Sequence, residues 1–189
     1  MSFQRKALIS LALGAVVLTG GLALWAKDMQ ADLSFAGEAS ASQQIGRPAP
    51  SLDAAEGWIN SAPLSLQALR GKPMLIDFWT YACVNCVRTL PHLRRWHETY
   101  GPQGLTVIGV HSPEFPFERS ERNVAGAARR LKVGYPIALD PAHKVWDAYD
   151  VRAWPTLFLV DRAGRIVFVH EGEGDYDAIE RQIQQVLAQ

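Results

Sequence analysis

The chain has 189 residues, 48% of them hydrophobic and 10% aromatic, which suits one globular domain of roughly 100 to 150 residues plus extra segments and excludes a disordered chain. Lys plus Arg and Asp plus Glu each number 19; with Arg5 and Lys6 set aside the remainder is slightly acidic and has no basic block, so nucleic acid is excluded as an expected partner. The only cysteines are Cys83 and Cys86, and a bridge closing so short a loop would constrain little of the unfolded chain, which excludes a stapled scaffold.

Residues 1–6, MSFQRK, read as a charged cytoplasmic segment, and Ala7 to Ala26 follow without a single charge. As a helix those twenty residues would span about 30 Å, the thickness of the hydrocarbon core. The favoured reading is a single-pass signal-anchor over 7–26, with Arg5 and Lys6 inside and Lys27 onward exported. The alternative is a cleaved signal that leaves a soluble exported protein, although a cut after Ala26 places Leu24 where a small residue is preferred. Either way the compartment permits disulfides. Residues 27–44, mostly small and polar, read as a flexible tether, and the globular domain is expected over 45–189.

Within the domain, Asn60-Ser61-Ala62-Pro63 between apolar neighbours predicts a short hairpin, and Leu66 to Arg70 a helical turn ended by Gly71. Pro73 to Trp79 is a buried strand with one anomaly, Asp77. Leu90, Leu93, Trp96 or His97, and Tyr100 recur at helical spacing and predict a helix from about Cys83 to Thr99, closed by Gly101-Pro102. Leu105 to Val110 is a second strand, HSPEFPFERSERN a proline-interrupted connection, and Glu121 to Leu131 a helix. Pro136 to Leu139 is a brief strand, after which Pro141 opens a helix containing Val145, Trp146 and Tyr149. Thr156 to Val160 and Arg165 to Val169 are spaced for a hairpin, and Tyr176 to Leu187 is a final amphipathic helix. This order predicts an α/β fold with a mixed sheet flanked by helices on both faces.

A structural zinc site needs about four ligands, and the pair supplies two; His92 and His97 stand outside the usual spacing and on different helix faces. No metal and no cofactor is expected. Redox chemistry fits better. At the junction of strand and helix, free backbone N–H groups and the helix dipole favour a Cys83 thiolate, making it the attacking sulfur, while Cys86, nearly one turn deeper, resolves the mixed disulfide. Asp77, six residues earlier in an apolar strand, either exchanges a proton with Cys86 or is a strand-end aspartate bonded to nearby backbone. Trp79 reads as core, and Tyr81 either as core or as part of the substrate surface.

The stretches Trp58-Ile59-Asn60-Ser61, Leu69-Arg70-Gly71-Lys72-Pro73, Asp77-Phe78-Trp79-Thr80-Tyr81, Cys83-x-Asn85-Cys86, Val107 to Glu114, Tyr135 to Asp140 and Gly172 to Tyr176 carry a resemblance to the thioredoxin superfamily. More narrowly, the chain resembles its exported, membrane-tethered thiol-disulfide branch. It is similar to the reductases of cytochrome c maturation and to the thioredoxin-like domain of bacterial DipZ-type proteins. The resemblance runs from about Ile45 to the C-terminus.

It implies a thioredoxin-like fold, with an N-terminal hairpin extension and a transmembrane anchor here, and a thiol-disulfide oxidoreductase facing the periplasm or cell exterior from the bacterial inner membrane. Cys83 is then nucleophile, Cys86 resolver and Asp77 the buried acid; Pro91 kinks the active-site helix, and Pro155 follows a cis peptide bond beside the cysteines. Tyr81, Ala82, Val84, Asn85, Trp154 and Thr156 would line the substrate groove, with Trp79 as support. Expected partners are exported protein disulfides or thiols and an upstream DsbD-like or CcdA-like membrane electron donor, since one anchor helix cannot pass electrons itself.

Ala82 and Val84-Asn85 depart from the Trp and Gly-Pro of many thioredoxins, so the direction of electron flow, reduction or oxidation of clients, stays open. A binding or chaperone module without turnover is a further alternative. A peroxidase is disfavoured, because Thr80 stands three residues before Cys83 but Phe78 replaces the expected proline.

Overall fold

The computed structural model describes residues 43–189. The expected cytoplasmic segment, the 7–26 anchor and the tether up to residue 42 lie outside the described residues. Gln44, placed in the tether by composition, belongs to the folded unit Gln44–Gln189. It is buried, and its side-chain amide donates to the Tyr149 carbonyl at 2.8 Å. No helix among the described residues is long and apolar enough to cross a membrane.

The elements follow in chain order: β1 (Gly57–Ile59), β2 (Met74–Trp79), α1 (Val84–Tyr100), β3 (Thr106–His111), α2 (Glu121–Arg130), β4 (Ile137–Leu139), α3 (Lys144–Ala148), β5 (Thr156–Val160), β6 (Ile166–Glu171) and α4 (Tyr176–Leu187). The strands form a six-stranded sheet ordered β1-β4-β3-β2-β5-β6. β2, β3 and β4 run parallel, whereas β5 pairs antiparallel with β2, β6 with β5, and β1 with β4. This is a thioredoxin-like α/β arrangement.

Every residue of β2 is buried, as a central strand covered on both faces requires. Side chains alternate across a strand, and the two cores divide accordingly. Leu75 and Trp79 join Leu90, Leu93 and Trp96 of α1, Val124 and Ala128 of α2, and Ile179 and Ile183 of α4. Met74, Ile76 and Phe78 join Leu52, Val145 and Tyr149 on the other face. Asp77 shares its face with Leu75 and Trp79, and so points under α1.

Two expectations are corrected. The Asn60-Ser61-Ala62-Pro63 turn forms no hairpin: β1 pairs instead with β4, from Gly57 opposite Leu139 to Ile59 opposite Ile137. Asn60 takes a left-handed φ of 65° and donates its amide to the carbonyls of Val133 and Tyr135, both at 3.0 Å. Leu64, Leu66 and Leu69 then pack on the second core rather than pair as a strand. The helix expected from Pro141 begins only at Lys144, because the Asp140 carboxylate reaches forward to accept the N–H groups of Val145 and Trp146 at 3.0 and 2.9 Å. α1 runs unbroken from Val84 to Tyr100 with exposed Pro91 in its interior.

Gly109 of β3 is the register partner of Asp77. A Cβ there would lie 2.8 Å from Trp79 Nε1 and 3.3 Å from Tyr135 Cε2, and both rings are fully buried. Gly109→Ala is therefore expected to lower stability by about 1 to 3 kcal/mol through overpacking. Urea denaturation measures this, and an unchanged midpoint would mean that the Trp79 indole has room to move.

Candidate active site

Sheet register brings three separate segments together. Thr156 of β5 stands opposite Phe78 of β2, and His111 of β3 opposite Trp79. The residues beyond those strand ends, 80–83, 112–118 and 153–155, therefore meet at the C-terminal end of β2. Ser112 N–H donates to the Trp79 carbonyl at 3.2 Å, and the Trp154 indole N–H donates to the Ser112 carbonyl at 3.0 Å.

Cys83 is the N-cap of α1, in extended conformation (φ −77°, ψ 116°), and its sulfur accepts the Cys86 backbone N–H at 3.3 Å. This meets one of the four donors that a helix N-terminus leaves unpaired. Both cysteines are free thiols: Cys83 is half-buried, whereas Cys86 is 1% exposed. Burial, then its hydrogen bond with Cys83 and the Asp77 charge, hold the Cys86 thiol well above the ordinary cysteine range. The two sulfurs are thus unequal, one accessible and one sheltered.

Asp77 is 1% exposed, and neither carboxylate oxygen has a hydrogen-bond partner. Burial raises its pKa from 3.8 to about 8. The strand-end aspartate bonded to backbone is not what the structure contains.

The Trp154–Pro155 peptide bond is cis. Pro155 is buried, its carbonyl accepts Gly172 N–H at 2.7 Å, and the Trp154 carbonyl lies 3.9 Å from Cys83 Sγ. Trp154 packs on Trp146 with ring centroids 4.3 Å apart. Thr156 is buried, and its hydroxyl donates to the Ala153 carbonyl at 2.7 Å. Ala82, Val84 and Asn85 are exposed around Cys83, Tyr81 is half-buried, Trp79 is core, and Pro91 lies on the outer side of α1. Of the expected groove residues, only Thr156 is withdrawn from the surface.

Sequence reasoning missed Glu118 and His111. Glu118, in a 3-10 turn over Pro116–Arg119, is fully buried. One of its oxygens accepts the Thr80 hydroxyl and, at 2.9 Å, the Ala82 N–H; the other accepts the N–H groups of Glu114 and Phe115, both at 3.0 Å. His111 lies between Trp79, to which its ring is perpendicular, and Tyr81, on which it stacks, with centroids 5.4 and 5.5 Å away. Burial pushes its imidazole down to about 4, against the pull of Glu118, so it is neutral at pH 7. The available signal was one acid directly after Phe117 in a proline-interrupted loop, a setting that favours burial only when donors surround the carboxylate.

This fold and this pair of sulfurs define a thioredoxin-like dithiol domain. The chain belongs to the AhpC/TSA family, whose profile matches residues 45–169. Protein DipZ of Mycobacterium bovis is 42% identical over 160 residues, which cover 83% of this chain and 23% of DipZ. The chain therefore spans less than a quarter of that relative's length. Thiol-disulfide oxidoreductase ResA of Halalkalibacterium halodurans is 34% identical over 109 residues, covering 58% of this chain and 59% of ResA. Among solved structures, a Chlorobium tepidum protein assigned as thiol:disulfide interchange protein DsbE superposes with a TM-score of 0.68 at 25% identity, covering 76% of this chain and 97% of its own.

Proposed function

We infer that this chain is a thiol-disulfide oxidoreductase that reduces disulfides of exported proteins. The observation that carries the reading is the inequality of the sulfurs: Cys83 is accessible at a helix N-terminus, and Cys86 is buried one turn away on the same face as Asp77. The Cys83 thiolate attacks one sulfur of a client disulfide, forming a mixed disulfide and expelling the other client sulfur as a thiolate. Cys86 then gives its proton to ionised Asp77 and attacks Cys83 Sγ. The second client sulfur leaves, both client thiolates take up protons, and the chain holds a Cys83–Cys86 disulfide. Two electrons have passed to the client. An upstream membrane donor of DsbD-like or CcdA-like type returns them, and the 7–26 segment keeps the domain at the membrane.

Thr80, the residue on which a peroxidase reading would depend, has its hydroxyl engaged by Glu118. The likeness to thiol-disulfide oxidoreductase ResA supports the class of reaction, and the reduction potential decides between reduction and oxidation of the client. Equilibration of the full chain with glutathione buffers should give a value well below the about −120 mV of a strong thiol oxidant. A value at or above that level would reverse the direction proposed here.

A further inference from the structure

We propose that the Phe115–Phe117 pair is a client-docking shelf for an extended protein segment carrying a large apolar side chain next to its reactive cysteine. This rests on the thiol-disulfide reading above and names the class of client it favours.

Large exposed hydrophobic side chains are few among the described residues: Ile45, Val84, Phe115 and Phe117, at 51, 59, 43 and 56%. Three of these four are tied to the dithiol. Val84 directly follows Cys83. Phe117 lies against Tyr81, two residues before Cys83, with centroids 6.3 Å apart, and its carbonyl accepts the Tyr81 hydroxyl at 3.2 Å. Phe115 stacks on Phe117 at 5.4 Å and 3°.

The shelf is held rather than loosely presented. Burying a carboxylate is costly unless hydrogen bonds replace its water. Glu118 meets that cost with four donors, two from the Thr80–Ala82 segment and two from the start of the shelf loop. A single buried charge thereby fixes the aromatic pair relative to the reacting sulfur. Such fixation lowers the ordering cost of binding at this surface.

The chemistry of the shelf selects its occupant. A client disulfide must reach Cys83 Sγ, so its flanking residues come to lie beside Val84 and the aromatic pair. Two phenyl faces gain by losing water to another apolar side chain and gain little from a charged one. Glu114 precedes the pair, the Glu118 that follows it is buried among its donors, and Arg119 comes next, so the exposed charges beside the pair in the chain are one of each sign. An aromatic or branched aliphatic residue adjacent to the client cysteine is the fitting partner.

The test compares two peptides, each joined to glutathione through its single cysteine and identical except for Phe or Ser beside that cysteine, with oxidised glutathione as a third probe. The reduced full chain should react about tenfold faster with the Phe peptide, at the low end of what apolar contacts discriminate. Phe115→Ser combined with Phe117→Ser should bring that ratio close to one, and Glu118→Gln should lower it. Because the readout is a ratio within each protein, loss of folded material changes both rates alike. Equal rates in the wild type, or a ratio that survives the double substitution, would overturn the shelf alone. No reaction with any of the three probes would overturn the thiol-disulfide reading and the shelf with it.

Discussion

Cys86→Ser protein mixed with disulfide-bearing clients should accumulate as a mixed disulfide through Cys83, while Cys83→Ser protein should accumulate none. Turnover should fall by about 10³-fold or more in either variant, as it does when one member of an interdependent catalytic unit is removed. The asymmetry follows from position. Cys83 caps the helix at the surface and can be reached from outside, whereas Cys86 is 1% exposed and meets only what Cys83 has captured. Non-reducing gels with mass spectrometry of the trapped species give the answer. Trapping through Cys86 in a Cys83→Ser chain would reverse the assigned roles, and a function towards clients that stays intact in both variants would favour a module that binds without turnover.

Asp77→Asn should have opposite effects on stability and on chemistry. An aspartate that ionises at 3.8 in the unfolded chain and at about 8 in the folded one leaves the folded form holding an extra proton between those values. The Asp77 contribution to stability therefore falls as pH rises from about 4 to about 8 and levels off beyond. Asparagine carries no such ionisation cost. Relative to wild type, the variant should gain on the order of 5 kcal/mol between pH 4 and pH 9, since each tenfold difference in proton affinity between the folded and unfolded chains is worth about 1.4 kcal/mol. Urea denaturation across that pH range reads the gain.

The resolving step should move the other way. With Asp77 ionised, the carboxylate can take the Cys86 proton, so the single-turnover release of client should rise with pH through about 8 in the wild type. In Asp77→Asn it should be about 10² slower at pH 8, within the usual range for a lost general base, and should lack that rise. Parallel pH profiles in the two proteins would remove Asp77 from the proton path and leave it a purely structural acid.

Much of the fold was legible because its strands are continuous apolar runs. Met74 to Trp79 cannot be satisfied except at the centre of a sheet, and Leu90, Leu93 and Trp96 mark the face that covers it. The dithiol was legible for a similar reason, since two cysteines at that spacing leave few alternatives. What sequence pattern missed depends on contacts made at long range. The apparent hairpin at Asn60 fails because the partner of β1 lies about eighty residues onward, and Asn60 itself bonds across to Val133 and Tyr135. α3 starts late because Asp140, rather than a residue beside the helix, supplies its cap. Glu118 reads as a loop acid until four donors from two segments are seen to surround it.

The strand order has one more consequence, in how the domain opens. The three site segments leave from β3, β2 and β5, which are neighbours in the interior of the sheet, while β1 and β6 form its edges. Local fluctuations start where a strand has a partner on one side only. Fraying from either edge can therefore expose amides of β1 or β6 to solvent exchange while β3, β2 and β5 stay paired. The spacing of Cys83, Cys86 and Trp154 is thus set by the portion of the sheet that exchanges last, and the reactive geometry outlasts the breathing of its rim.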